Sequence, residues 1–165
     1  VRRSEKEITD RREIDRIIQE AHVCRMGLRD DNEVYIVPLS FGYDPSGTGT
    51  FYFHSAAAGR KMDLIRTMDR DSDTVSFEID RMLQVTSMDE AKACTWSMNY
   101  ESVMGYGTLS VLESAAEKTA ALQILMAHYA GTRKFTFPDA MVQKTVVLRL
   151  NVTRMTAKHS LQAEA

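Results

Sequence analysis

The sequence predicts a mainly β fold, an antiparallel barrel, closed or nearly closed, with helices at its rim. Three observations carry this. Short runs alternate apolar and polar residues with period two, as half-buried strands do. Turn-forming clusters separate these runs, so that consecutive strands fold back as hairpins. Helical periodicity is confined to three patches, and no Gly-x-Gly-x-x-Gly joins a strand to a helix, which argues against a dinucleotide-binding α/β fold. The length of 165 residues fits one domain over 1–165.

The first element is a helix over about 10–21. Asp10 and Glu13 have capping-box spacing, with Asp in place of Ser or Thr. Ile14, Ile17, Ile18 and Ala21 then fall on one face. A strand follows from about His22 to Leu28, and Asp30-Asp31-Asn32 reads as a hairpin turn. From Val34 to Tyr43 the pattern alternates: Tyr35, Val37, Leu39 and Phe41 on one face, Val34, Ile36, Pro38 and Ser40 on the other. Asp44 to Gly49 is a loop by composition, and Thr50 to His54 a short aromatic strand.

Gly59 to Met68 is expected to be helical, with Met62, Ile65 and Met68 inward, and Thr74 to Ile79 a further strand. Met82 to Trp96 has no clear period and reads as a loop. Tyr100 to Leu112 is a long strand; Gly105 and Gly107 interrupt its side-chain wall, as at a bend or a close backbone approach. Ser114 and Glu117 form a capping box for a helix that ends at Gly131. A loop containing Pro138 leads to a last strand over about Thr145 to Met155, and the polar tail, about 157–165, is expected to fray.

Composition narrows the function. The formal net charge is −2, with no basic excess to neutralise a phosphate backbone, so nucleic acid is not an expected partner. No run approaches the ~18 apolar residues of a membrane span. The charged start, Val1 to Glu13, lacks the apolar region of a secretory signal, so a cytoplasmic location is expected. Cys24 and Cys94 have no metal-ligand or Cys-x-x-Cys spacing and read as reduced, half-buried packing residues.

The sharpest local signal is Phe51-Tyr52-Phe53-His54-Ser55-Ala56-Ala57-Ala58-Gly59-Arg60-Lys61, a strand that runs through small residues into a helix opened by two cations. A helix N-terminus favours anions, so cations there conflict with its dipole unless an anion sits between them. Arg60 and Lys61 are either solvated surface charges or, with the Ser55 hydroxyl and the first backbone N–H groups, a phosphate clamp. His54 is either a hydrogen-bonded structural residue or a ligand contact, and no second His stands at zinc spacing. Pro38 marks an edge strand or a place where the ladder opens to a flat ligand. Trp96 to Gly107 mixes aromatics, hydroxyls and glycines, as strands do that line pockets and, more often, strands that fill barrels. His128 and Tyr129 read as structural.

Together these segments resemble the pyridoxamine 5'-phosphate oxidase-like flavin split-barrel family, in the branch of the nitroimidazole-resistance proteins. The likeness rests on Val37-Pro38-Leu39-Ser40-Phe41, on Tyr52-Phe53-His54-Ser55 through Gly59-Arg60-Lys61, on Tyr100 to Gly107, and on the strand after Lys144-Thr145. It implies an FMN-binding split barrel that dimerises, with a cofactor in each of two clefts between subunits. By resemblance Arg60 and Lys61 grip the phosphate beside Ser55. Val37, Pro38, Leu39 and Ser40 border the isoalloxazine ring, His54 stands near the ligand as the candidate catalytic group, and Tyr100 and Ser102 face the cleft.

Some relatives take haem or deazaflavin in place of FMN. The implied function is an oxidoreductase that uses a reduced nicotinamide to reduce a small acceptor, a nitroaromatic among the candidates. The alternative is a flavin or haem carrier without turnover. The sequence after Arg154 lacks the arginine-rich, proline-bearing C-terminus of true pyridoxamine phosphate oxidases, so oxidation of vitamin B6 is not the expected activity.

Overall fold

A computed structural model describes residues 3–69 and 73–161. A 3-10 turn at Ser4–Lys6 opens the chain. The strands are β1 (Glu7–Ile8), β2 (Cys24–Asp30), β3 (Glu33–Leu39), β4 (Gly42–Asp44), β5 (Thr50–Ser55), β6 (Val75–Ser87), β7 (Trp96–Val111) and β8 (Val146–Ser160). The helices are α1 (Arg11–Glu20), α2 (Arg60–Thr67), α3 (Ala115–Ala130) and α4 (Asp139–Lys144). All strand pairs are antiparallel, in the order β3-β2-β6-β7-β8-β5-β4, with β1 added beside β8.

The sheet wraps one core. Cys24, Met26 and Leu28 of β2, Phe51 and Phe53 of β5, Ile79 of β6, Val103 of β7, and Leu148 and Leu150 of β8 are fully buried on its inner face. Helix α1 lays Ile14, Ile17 and Ile18 on this core, as its spacing predicts. Its Arg16 and Arg81 of β6 both hydrogen-bond the buried Glu101 of β7, the second pair at 3.0 Å, which pins the helix to the sheet. Asp10 caps the Arg12 N–H at 2.9 Å, while Glu13 turns to Arg16 and does not close a capping box. At α3 the N-cap half of the box forms: Ser114 accepts from the Glu117 N–H at 3.2 Å and donates its hydroxyl to the Glu117 carboxylate at 2.7 Å, and Gly131, at φ 68°, ends the helix.

The expected mainly β barrel with helices at its rim is present in a form that is not closed: β3 and β4 end the strand order and do not pair. Other expectations change. The strand expected over Val34 to Tyr43 breaks at Ser40 and Phe41. At the break the Phe41 N–H donates to the Tyr129 hydroxyl at 2.9 Å, which in turn donates to the His22 carbonyl at 2.9 Å. A side chain thus satisfies the backbone group that a continuous ladder would have used. Met82 to Trp96 is largely a hairpin arm, because β6 runs on to Ser87 and β7 starts at Trp96. Met82, Leu83, Gln84 and Val85 are all exposed, so no buried face imposes an alternation there.

The tail does not fray over Ala157 to Ser160. Ala157 is 1% exposed, paired with Ile8 of β1 on one side and Val103 of β7 on the other; residues 162–165 lie outside the described part. The Pro138 loop continues into α4, which buries Val142. The cysteines are unpaired, and of the expected half-buried pair Cys24 is fully buried and Cys94 exposed. Burial pushes the Cys24 thiol well above its ordinary range. Among the described residues no helix is long and apolar enough to cross a membrane.

Candidate functional site

The open edge brings the first group of predicted residues together. Strand β3 pairs only with β2, so its other edge presents free backbone groups toward the break. Pro38 and Ser40 are exposed on its outer side, while Val37 and Leu39 pack inward on the core. The β4–β5 ladder sets Gly42 opposite Tyr52. Continued by two residues, that register places Ser40 opposite His54. The ladder therefore opens between the two segments that sequence singled out.

His54 points outward from β5 and is exposed; no described residue hydrogen-bonds its ring. Tyr52 shares that face but is half-buried under α3, against Leu122 and Val147. Beside His54, Leu122 and Met126 of α3, Phe137, and Met141 and Val142 of α4 line an open hollow of about 220 Å³.

Five residues beyond His54 comes the start of α2. Gly59, at φ 109°, leads into the helix without a side-chain cap. That backbone conformation suits glycine, and a side chain there would meet open space. Met62 and Asp63 donate to the Gly59 carbonyl at 2.8 and 3.1 Å, while no described residue accepts from the N–H groups of Arg60 and Lys61. Lys61 is half-buried and has no described ion-pair partner; burial lowers its ammonium below the ordinary lysine range.

The other two members of the expected clamp are engaged elsewhere. The Arg60 Nε donates to Asp30 at 2.8 Å, and its guanidinium lies 4.8 Å from the Tyr35 ring centroid. Hydrogen bonding to Asp30 raises the Arg60 guanidinium above its ordinary range. The Ser55 side chain is buried, and its hydroxyl donates to the Ala56 carbonyl at 2.9 Å. A clamp that uses all three side chains needs both of these bonds to break.

Tyr100 and Ser102 are not part of this cluster. They lie on the outer face of β7, nine or more residues from Val111, where β7 runs level with the His54 end of the sheet through β8. That is roughly 30 Å along the strand. Lys158 of β8, directly opposite Ser102, sits with its Nζ 5.4 Å from the Tyr100 ring centroid. The Ser102 hydroxyl is buried without a partner. Sequence reading missed Lys158, because it falls in the supposed tail, and Asp30, because nothing local ties it to Arg60.

Between these two ends, among the described residues, the outer face of β3-β2-β6-β7 carries no helix. Val34, Ile36, Met104 and Tyr106 are exposed around a hollow of about 320 Å³ floored at Gly27 and Gly105. Among the described residues no cluster of His, Cys, Asp and Glu could hold a metal.

Several known proteins share this arrangement. The structure superposes on a candidate 5-nitroimidazole antibiotic resistance protein from Bacteroides thetaiotaomicron with a TM-score of 0.77, at 30% identity, over 93% of this chain and 86% of that one. It also matches a flavocytochrome from Azotobacter vinelandii, with a TM-score of 0.79, 16% identity, and coverage of 98% and 73%. A FAD and haem binding protein from Mycobacterium smegmatis gives a TM-score of 0.79, 16% identity, and coverage of 97% and 77%. The last two likenesses speak to the fold alone. No curated protein sequence matches the chain. The family model for pyridoxamine 5'-phosphate oxidase matches residues 10–159, and over that span the chain belongs to this family.

Proposed function

We propose that this protein is an FMN-dependent oxidoreductase. In this reading it dimerises through the bare half of its sheet and uses a reduced nicotinamide to reduce a small acceptor. The observation that carries the reading is the start of α2. A half-buried ammonium without a described counter-ion stands at an uncapped helix N-terminus, where an anion would relieve both the desolvation of Lys61 and the unmet N–H groups. One terminal phosphate satisfies this site, as FMN carries and riboflavin does not. The bound flavin would supply hydride acceptance and electron transfer.

The chain's own residues bind and orient. Lys61 and the Arg60 and Lys61 N–H groups hold the phosphate, and the Arg60 side chain joins only on leaving Asp30. The free edge at Val37 to Ser40 offers backbone groups to a flat ring, with Pro38 leaving one position without a donor. His54 stands at the same opening, and no described residue hydrogen-bonds its ring. In this reading the Tyr100–Ser102 end of one copy would have to meet the Ser40–Lys61 end of the other for both groups to share a cleft.

The test is a fluorescence-quenching titration of FMN and riboflavin against native protein, Lys61→Ala and Arg60→Ala. A charge-assisted hydrogen bond is worth roughly 1.5–3 kcal/mol, which is about ten- to hundredfold in affinity. Lys61→Ala should lose that much FMN affinity and leave riboflavin unchanged. Arg60→Ala should lose less, because its guanidinium already has Asp30. Equal FMN affinity in native and Lys61→Ala protein would remove the phosphate site. Failure of NADH or NADPH to bleach the bound flavin would leave a carrier in place of an enzyme.

A further inference from the structure

We infer that Asp30, with Glu33 and Tyr35 beside it, is an internal competitor for the cofactor. It holds the Arg60 side chain on the β2–β3 hairpin until a phosphate at the start of α2 displaces it. This rests on the phosphate reading above and adds a means of regulating that site.

The hold is built from one hairpin. Asp30 ends β2 and pairs directly with Glu33, which opens β3 across a two-residue turn. One carboxylate oxygen of Asp30, Oδ2, accepts from both Nε and Nη2 of Arg60. A Glu33 carboxylate oxygen lies 3.7 Å from the same Nη2, and the guanidinium sits over the Tyr35 ring. Two carboxylates and an aromatic face suit a planar cation.

The place of Arg60 turns this hold into a competition. It stands in the first turn of α2, where a cation opposes the helix dipole. The hairpin answers the side chain's charge and leaves the backbone unanswered, since no described residue accepts from the Arg60 and Lys61 N–H groups. A phosphate offers acceptors to those N–H groups and to the guanidinium at once. The Nε edge of Arg60 is engaged, so the guanidinium has to turn from Asp30 to present that edge to a ligand. The apparent affinity falls by the fraction of chains in which Arg60 is free. The coupling is reciprocal, so a bound phosphate loosens the hairpin tip from α2.

The test is a fluorescence-quenching titration of FMN and riboflavin against native protein, Asp30→Asn and Asp31→Asn. Asp31, the next residue in the turn, carries the same charge, and no described ion pair joins it to Arg60. It therefore reports the general effect of removing a carboxylate. Asp30→Asn should tighten FMN about two- to fivefold beyond Asp31→Asn, the scale of an exposed ion pair. Riboflavin affinity should be unchanged in both, which also shows that the variants fold. Added to Arg60→Ala, Asp30→Asn should gain no more than Asp31→Asn does. In native protein the Arg60 Nε–H NMR signal, identified by its loss in Arg60→Ala, should move with FMN and stay in place with riboflavin. An Asp30→Asn variant that binds FMN no tighter than Asp31→Asn, or a gain that persists in Arg60→Ala, overturns the competitor. If Lys61→Ala still weakens FMN in that case, the phosphate reading stands without it; if Lys61→Ala changes nothing, both fall.

Discussion

The outer face of the sheet is two surfaces with opposite fates. Over β5 and the first half of β8, helix α3 covers it, and Leu112, Ala121 and Val147 form a second small core with Tyr52 and Leu122 packed against it. Over β3, β2, β6 and β7 no helix of the described residues covers it. There Val34 is 67% exposed and Ile36 61%. Both halves alternate in sequence, and both put large apolar side chains outward. A chain that met only water on the bare half would gain nothing from them. The difference is in the cover: α3 shields one half, and in the proposed dimer a second copy would shield the other. Val34, Ile36, Met104 and Tyr106 ring a hollow, while Arg25, Glu78 and Asp80 supply both signs of charge beside it. Apolar centre and mixed charge together suit a second copy turned about a two-fold axis.

The largest effect should come from charging the bare half. Val34→Glu with Ile36→Glu puts carboxylates where the second copy would exclude water, an unpaired burial that costs about 3–5 kcal/mol for a broken charge pair. Light scattering should show a folded monomer, and bound FMN should be lost with the dimer. A native protein that is already monomeric at micromolar concentration would end both the interface and the shared cleft.

The two halves should also differ in how they tolerate an added methyl group. At Gly42 a new Cβ would lie 2.5 Å from the α3 backbone at Leu125, which cannot yield without moving the helix. Gly42→Ala should cost about 1–3 kcal/mol, the range of an overpacked core. At Gly27, on the bare half, the nearest obstacle is the Ser76 hydroxyl at 2.8 Å, the end of a side chain that can rotate. Gly27→Ala should cost less than about 1 kcal/mol of protomer stability. Urea titration of both variants compares them directly, and equal losses would mean that α3 is held no more firmly than a surface side chain.

The smallest effect is a pH dependence. Burial lowers the folded Lys61 below its unfolded value. Between those two values the unfolded chain holds more protons, so flavin-free stability rises with pH across that window. FMN affinity should move the opposite way, constant below the depressed value and falling as pH rises through it. Riboflavin affinity should stay flat. An FMN profile that parallels riboflavin would separate the phosphate from Lys61.

Much of the covered half was legible in the sequence, for physical reasons that stop short of the bare half. The Ser114–Glu117 box and the aromatic strand at Thr50 are local signals, each settled within a turn or a hairpin. The arm between Met82 and Trp96 hid its strands because none of its faces is buried in the protomer. Ala157 to Ser160 looked like a tail because their partners, Ile8 and Val103, are far away in sequence. The site divides in the same way. His54, Pro38 and the α2 start announce themselves through residue type and position, whereas the bond from Arg60 to Asp30 spans thirty residues and leaves no pattern. In the proposed function, that bond is the reason Lys61 would carry more of a phosphate than its neighbour.

The Tyr129 hydroxyl ties the opening of the sheet to a helix that arrives late in the chain. The Phe41 amide has this hydroxyl as its acceptor, 88 residues away, so its proton is sheltered only while α3 is docked. The same helix carries Leu122 and Met126 over His54. Slot and hollow are therefore two readouts of a single docking event, and slow hydrogen exchange at one amide would time the assembly of both.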